Sequence, residues 1–578
     1  MKNQSMTGAW LTGLGCFAIL LCARAAGASG VSISSPASGA TVSGRINIVA
    51  AAGSGVVWVD INIDGDFYAS SPPFSFSWET TEVGNGPHTI TAYAYNSSGT
   101  SVGTASRNVT VNNSASGGRS YYVASGGRDS NSGTSPSSAW LTLNRVNSAN
   151  LQPGDTVFFQ SGQMWRGTLE PPRGGIPGAP ISFAAFGSGN RPVISGSDIV
   201  GGWRWYSGNI YRATEADAPQ NVYVDGGPGW GLTRVWSVGA IAAGTWYWDS
   251  GAKLLYVWLA DSSNVVNHTI EAATRVYGFY VNSGTCDDYS YITINGLAFR
   301  RTGGFGIYFH CYGGSSPLAG VIIQNNTIDQ TGTGKVDRGQ YYNGIFFLQE
   351  PEYLNAAPQI LNNFTSYTGG HGNGINLQGA NNAMIRNNNV SEWNHNGIDI
   401  KDADGVYVEN NISQDRMSGG SAYYAEHSSV NYERNFAYNA SNGIQVSVGS
   451  RANVYNNSIY DCPTAIYFGP NAQSVVVQNN AISGSSTSFG TDGNPDFTED
   501  YNDLGAGAWL QVGSTRYTFS QWHAMGNHVH DIAANPMWAN PPQSMNLLDG
   551  SACINRGTDV GLPYEGSAPD LGAIESPY

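Results

Sequence analysis

Residues 373–411 read NGINLQGANNAMIRNNNVSEWNHNGIDIKDADGVYVENN, and this stretch decides the fold. It runs twice through one pattern. Asn-Gly-Ile opens a short alternating run, a second β-type run follows, and an Asn-Asn pair closes it. Ile375 to Asn388 and Ile398 to Asn411 are both thirteen residues. Working outward, the closing asparagine recurs at Asn326, Asn363, Asn388, Asn411, Asn435, Asn457 and Asn480, in steps of 37, 25, 23, 24, 22 and 23. Its surroundings repeat as well: VIIQNNTI, VYVENNIS and VVVQNNAI. Asn-Gly-Ile also occurs at 343–345 and 442–444. Two short β runs in each period of roughly two dozen residues predict an all-β solenoid rather than a globular sheet. The asparagines are expected at a bend, where Asn tolerates left-handed backbone and bonds neighbouring coils. Their role is structural, not catalytic.

The chain has 578 residues, of which 12% are charged and 12% aromatic, with 75 glycines. That suits turn-rich β structure, and the normal apolar fraction excludes disorder. The net charge of −15 argues against a nucleic-acid partner, which needs a basic face. An anionic glycan could still bind through a local basic group or a bound cation. Lys2, the apolar run Ala9–Cys22 and the small residues Ala23-Arg24-Ala25 and Ala26-Gly27-Ala28 predict a signal peptide over 1–28, and so secretion to the periplasm or beyond. The run is too short for a membrane span. Export permits disulfides. Cys286 with Cys311 would span one coil and Cys462 with Cys553 would pin the C-terminal end; buried free thiols are the alternative.

Residues 31–113 alternate in short runs (INIVAAA, VVWVDINID, HTITAYAYN), the pattern of a β-sandwich. With ISSPASGATVSG they resemble the bacterial immunoglobulin-like modules of secreted enzymes. A linker, SASGGRS, covers 114–120. The second unit, 121–578, opens YYVASGGRDSNSGTS, continues LQPGDTVFFQSGQMWRGTL, and closes with SACINRGTDVG and APDLGAIE. These segments resemble secreted right-handed parallel β-helix proteins of the pectate-lyase-like superfamily. The resemblance implies the fold and leaves the reaction open. Residues 197–275 lack the asparagine period and hold Trp203, Trp205, Trp230, Trp236, Trp246, Trp248 and Trp258, a β-rich insertion with either an aromatic core or a sugar-stacking surface. From 484 to 578 the repeat is lost, and a cap is expected.

In a β-helix equivalent residues of successive coils form columns. Ile375, Leu377, Ile398, Ile400, Ile444 and Val446 suit the inward columns. The thirteen-residue step aligns Ala422 with Ile375, Ile398 and Ile444. One outward column is then Asn376, Asp399, Tyr423, Gln445, extended by Tyr308 and Tyr467, and its neighbour holds His310, Gln378, Lys401 and Ala425. Tyr and His stack on sugar rings, and Asn and Gln bond hydroxyls. This face is the expected substrate groove of a monomeric enzyme.

Lysine occurs four times, at Lys2, Lys253, Lys335 and Lys401, and one of them lies mid-groove in HNGIDIKDADG (395–405). Asp399 precedes it on the same face; Asp402 and Asp404 follow. His371 and His395 end the preceding bends, and Glu426 with His427 come one coil later. Three functions are compatible. In β-elimination on a uronate polysaccharide, Lys401 acts as base once desolvation and a cation lower its pKa, with Ca2+ held by Asp402, Asp404 and Asp399. The superfamily resemblance implies such a base beside calcium-binding acids, although no complete ligand set is recognisable. In hydrolysis, Asp399 pairs with Glu426 or Asp402. HNGIDI resembles the acidic strand of polygalacturonases and GGHG their Gly-His-Gly, but His371 comes before that strand and the adjacent Asp pair is missing. A non-catalytic glycan-binding or adhesion protein is the third. Elimination is the expectation carried forward.

Overall fold

The structure is a computed structural model. It describes residues 30–578 apart from 44, 57, 71–73, 81–82, 84–85, 97–99, 113–117, 228, 230, 314–315, 333–341, 351, 353, 494, 527 and 578. The expected signal peptide, Trp230, Lys335 and most of the linker lie outside the described residues. The chain divides into two units at Asn113 and Ser114.

The first unit is the expected sandwich. A three-stranded antiparallel sheet (Val31–Ser35, Arg45–Ala52, Ser75–Glu79) faces a five-stranded one built on Trp58–Ile63, Gly86–Tyr95 and Ser101–Val111. Alternate residues Ile48, Val59, Ile61, Trp78, Ile90 and Ala92 fill the core.

The second unit is a parallel β-helix. Each coil lends one strand to each of three sheets. Ile375–Gln378, Met384–Arg386 and Asn389–Ser391 form one coil; Ile398–Lys401, Val406–Glu409 and Ile412–Gln414 form the next. We call the sheets I, II and III in that order. They hold 11, 12 and 10 strands, and neighbouring coils pair in parallel, strand on strand. Ile375, Leu377, Ile385, Val390, Ile398, Ile400, Val406 and Val408 are fully buried inside the coil.

The bend between sheets II and III explains the recurring Asn-Asn. The first residue of the pair is the left-handed one: Asn325, Asn362, Asn387, Asn410, Asn456 and Asn479 have φ of 53–61°. The second is buried. Its backbone N–H and its side-chain amide both donate to Oδ1 of the next asparagine, at 2.9–3.1 Å, from Asn326 through Asn480. The same amide also donates back to an earlier coil, as Asn411 does to Ile385 O at 2.8 Å. Where the left-handed residue is not Asn, as at Arg434, the ladder continues unchanged. A second ladder runs along the Asn-Gly-Ile motifs: Asn396 N–H donates to Asn373 Oδ1, and Asn373 N–H to Asn343 Oδ1, each at 2.9 Å. The following glycine is required by space. A Cβ on Gly397 would collide with Ser413 Oγ inside the coil.

The solenoid outlasts its visible period. Thr487–Thr491 and Phe497–Asp500 extend sheets I and II, and Trp509–Val512 adds one more strand to sheet I. The ladder goes on to Asn502 and ends at Asp531. The cap is therefore shorter at its start than expected, because the added coil reads Tyr-Asn-Asp rather than Asn-Asn. Closure comes from an antiparallel strand, Thr515–Tyr517, and the short helix Phe519–His523, whose Trp522 joins the core. Cys286 and Cys311 form a disulfide across one coil. Cys462 and Cys553 do not pair; both are buried free thiols, Cys462 in the coil core and Cys553 beside Asp503.

The insertion carries its own core around Val222, Trp246, Leu255 and Val257. It docks on the coils through Glu271, which pairs with Arg166 at 2.6 Å and with Arg301. Trp246 is buried in that core, as the aromatic-core expectation has it, while Trp205 and Trp236 are 65% and 69% exposed.

Replacing one ladder residue tests the bend. Asn411→Ala strands the Asn388 N–H and the Ile385 carbonyl, and should cost about 2–4 kcal/mol in urea unfolding, against roughly zero for an exposed substitution on sheet II such as Tyr407→Thr.

Candidate active site

The outward face of sheet I stacks two columns. The first runs Tyr280, Tyr308, Phe346, Asn376, Asp399, Tyr424, Gln445, Tyr467. The second runs Asn282, His310, Leu348, Gln378, Lys401, Glu426. Seven of the sequence-derived residues, Tyr308, His310, Asn376, Gln378, Lys401, Gln445 and Tyr467, therefore fall on the expected face together with Asp399 and Glu426.

Tyr423 does not. It pairs with Ile398 and Ile444, is fully buried, and donates its hydroxyl to Asn411 O (2.7 Å) and Phe436 O (2.9 Å). The coil is one residue shorter than its neighbours between strand and ladder, so Tyr423 replaces the inward isoleucine and Tyr424 takes the groove position. Ala425 likewise turns inward and gives its place to Glu426. Two adjacent tyrosines in AYYAE hide this slip from alternation. The signal that reveals it is charge: the correct register sets Glu426 directly opposite Lys401.

At the centre, Lys401 Nζ lies 3.2 Å from Glu426 Oε2 and 5.7 Å from the Tyr424 ring centroid. Asp399 is fully buried; Oδ2 accepts from Asn396 Nδ2 at 3.1 Å, and Oδ1 has no hydrogen-bond partner among the described residues. Burial pushes the Asp399 carboxyl up to about 6, against the opposing pull of Lys401. Burial works against the Lys401 charge too, but Asp399 and Glu426 outweigh it and raise its pKa. This runs opposite to the lowered pKa that a lysine base requires. His395 stands beside the cluster, its Nδ1 3.1 Å from Asn373 Oδ1 and 3.2 Å from Asn396 Nδ2. Burial, then Lys401 and His371, bring it down to about 4, so its imidazole is neutral at pH 7. The His371 ring meets it edge-on at 5.8 Å.

The flanks are aromatic and polar. Tyr308 stacks between Tyr280 (5.6 Å) and Phe346 (5.2 Å), and His310 Nε2 is 3.4 Å from Glu350. Gln445 Oε1 accepts from Ser421 and Asn442, and the Tyr467 hydroxyl bonds Asp492. Asp402 and Asp404 lie beyond the strand end. Asp402 faces His427 at 3.4 Å, and exposed Asp404 is tied by its backbone to Asn381. The structure does not gather them with Asp399 into a calcium shell. Among the described residues, the one group of three such donors is Glu499, His528 and Asp531.

Residues 355–522 match the family described as the right handed beta helix region, and residues 30–92 match the bacterial Ig domain. No curated protein sequence matches the chain. Among solved structures, the pectate lyase Pel9A is 16% identical over 80% of this chain and 98% of its own, with a TM-score of 0.41. The family 28 exopolygalacturonase of Yersinia enterocolitica is 11% identical over 82% and 78%, with a TM-score of 0.33. The catalytic unit of the GH87 alpha-1,3-glucanase of Streptomyces thermodiastaticus strain HF3-3 is 10% identical over 85% and 85%, with a TM-score of 0.38. None of these likenesses is close enough to transfer an activity.

Paired variants check the register. Tyr423→Phe, which removes a buried hydroxyl from two carbonyls, should lose about 1–2 kcal/mol in urea unfolding, while Tyr424→Phe should stay within about 0.5 kcal/mol of the parent. The reverse ranking would return Tyr423 to the groove.

Proposed function

We propose that this chain is a secreted glycan-cleaving enzyme that hydrolyses a glycosidic bond in the sheet I groove, with Asp399 as general acid and Glu426 as the second carboxylate. One observation carries this reading. Two carboxyl groups stand on adjacent rungs with Lys401 between them, in opposite environments. Asp399 is buried and holds its proton to about pH 6; Glu426 is partly exposed and faces an ammonium. Carboxyls whose surroundings differ in this way divide acid and base duties. Asp399 Oδ1, free of partners, is the atom that would meet the glycosidic oxygen. Lys401 and Tyr424, its partly exposed neighbours, are the side chains to turn aside for the sugar. Tyr280, Tyr308 and Phe346 on one flank and Tyr467 on the other offer rings for stacking, and Asn376, Gln378 and Gln445 offer amides to hydroxyls. Glu426 then acts on the anomeric carbon, directly or through water.

Elimination is the second reading, favoured by the neutral imidazole of His395. In it His395 replaces Lys401 as base, while the charged Lys401 neutralises the uronate carboxylate without calcium. His371 would support the His395 ring. Asp402 and Asp404 keep no part in either mechanism.

A panel of neutral and uronate polysaccharides separates the two. Hydrolysis yields new reducing ends with no absorbance at about 235 nm; elimination yields that absorbance, the mark of the unsaturated uronate it forms. No product from any glycan would sink both. In the hydrolytic case Asp399→Asn and Glu426→Gln should each lower kcat by about 10²–10⁴-fold, and activity should fall as pH rises through about 6. The same pKa sets a stability test. The folded Asp399 binds its proton more tightly than the unfolded one, so its stabilising contribution is present at low pH and is lost between about pH 4 and 6. Asp399→Asn should therefore be inactive yet more stable than the parent at pH 8, by on the order of 1–3 kcal/mol; equal or lower stability at pH 8 would contradict a buried, strained carboxylate.

A further inference from the structure

The asparagine ladder ends on an aspartate, and the exchange leaves an oxygen where the ladder has a nitrogen. Asp531 Oδ1 accepts from the Asn502 N–H at 2.8 Å and from Asn502 Nδ2 at 3.4 Å, as each asparagine Oδ1 does further up. At inner rungs the remaining atom is an amide nitrogen that donates to a carbonyl: Asn502 Nδ2 to Val477 O at 3.1 Å, and Asn480 Nδ2 to Val454 O at 2.9 Å. Asp531 presents Oδ2 there. No N–H or hydroxyl donor among the described residues reaches that oxygen, its neighbour is the Glu499 carboxyl, and the residue is only 4% exposed.

Two further donors close around it. One donor atom each from Glu499, His528 and Asp531 lie within 4.8 Å of one another. The group is held from outside. Trp522 Nε1 donates to Glu499 Oε1 at 2.6 Å and Asn502 Nδ2 to Oε2 at 3.2 Å. The His528 ring stacks on Trp522 at 4.6 Å. Its side chain, 13% exposed, is the open side of the cluster, while Glu499 is buried. Fixed orientation by neighbours of this kind marks a built ligand set.

We propose that Glu499, His528 and Asp531 bind a divalent cation of the zinc class that terminates the ladder. Two carboxylates and a neutral imidazole with a doubly charged ion sum to zero charge, which a buried site demands. His528 Nδ1 already lies 2.5 Å from Glu499 Oε1, so the donors stand together. One nitrogen and two oxygens suit zinc, whereas calcium takes six or more oxygens. Glu499 lies on sheet II in register with the core residue Val477, four coils beyond Asp399, so the site closes the end of the coil rather than lining the groove.

The test uses the untagged full chain, stripped with EDTA and desalted, then titrated with zinc chloride by calorimetry and scanned for thermal unfolding. One zinc per chain and a rise in Tm of a few degrees are expected. Asp531→Asn and His528→Ala should both lose the uptake and the rise. Metal-free Asp531→Asn should unfold no earlier than the metal-free parent, because asparagine is the ladder's own residue; His528→Ala, partly exposed, decides if that variant fails to fold. No zinc uptake by the parent, or a Tm rise that survives in either variant, would overturn the proposal.

Discussion

Everything in the second unit depends on one buried hydrogen-bond pattern, the asparagine whose side chain takes two donors from one coil and gives two to others. A coil must turn sharply between sheets II and III, and the turn leaves main-chain groups that no sheet can reach. Water cannot enter to satisfy them, and an unmet buried N–H costs about 1–3 kcal/mol. Only a short primary amide offers an acceptor and two donors at the length this bend allows. Serine lacks the second donor and glutamine is too long. The ladder therefore fixes the coil-to-coil register as firmly as the sheets do, and the register decides which outward side chains stand opposite one another on sheet I.

That dependence explains what could be read from the sequence. The ladder repeats the same residue from Asn326 to Asn480, so the period, the solenoid and the inward isoleucines were visible. The spans between them can vary by one residue without breaking a ladder bond. The coil holding Tyr423 does so, and it exchanges Tyr423 for Tyr424 and Ala425 for Glu426. The core accepts the change because a tyrosine hydroxyl finds two carbonyls at the far end of its ring. Asn502 escaped notice for a related reason: its preceding left-handed residue is Tyr501, so the paired-Asn text is gone while the rung remains. The free thiols Cys462 and Cys553 could not be told from a disulfide by spacing, since a solenoid places distant residues side by side only according to register.

The site's electrostatics were less legible than its membership. Asp399, Lys401 and Glu426 were evident as ionisable residues near each other, and a rare lysine suggested a base. What a lysine does depends on its immediate partners. With one carboxylate the cost of burial can win and the ammonium becomes a base; with two, as here, the charge is held. The corrected register set that second carboxylate, already a candidate partner of Asp399, directly opposite Lys401. A single-residue slip thus moves weight between two readings of the groove, from a lysine base with calcium towards the carboxyl pair.

Asp399 and Asp531 pose the same physical problem in different places. Each is a buried carboxylate with one oxygen tied to an asparagine amide and the other reached by no N–H or hydroxyl donor among the described residues. The ladder rungs from Asn326 to Asn502 use neutral amides at the equivalent bend. A carboxylate in such a setting raises its pKa, takes a cation, or both. Asp399 has an ammonium beside it and groove neighbours that are partly exposed, which suits a proton that must be given away. Asp531 has an imidazole and a second buried carboxylate, and no part in the groove, which suits a charge that stays. The fold tolerates each because neutral ladder rungs on neighbouring coils supply the stability that the two carboxylates withdraw.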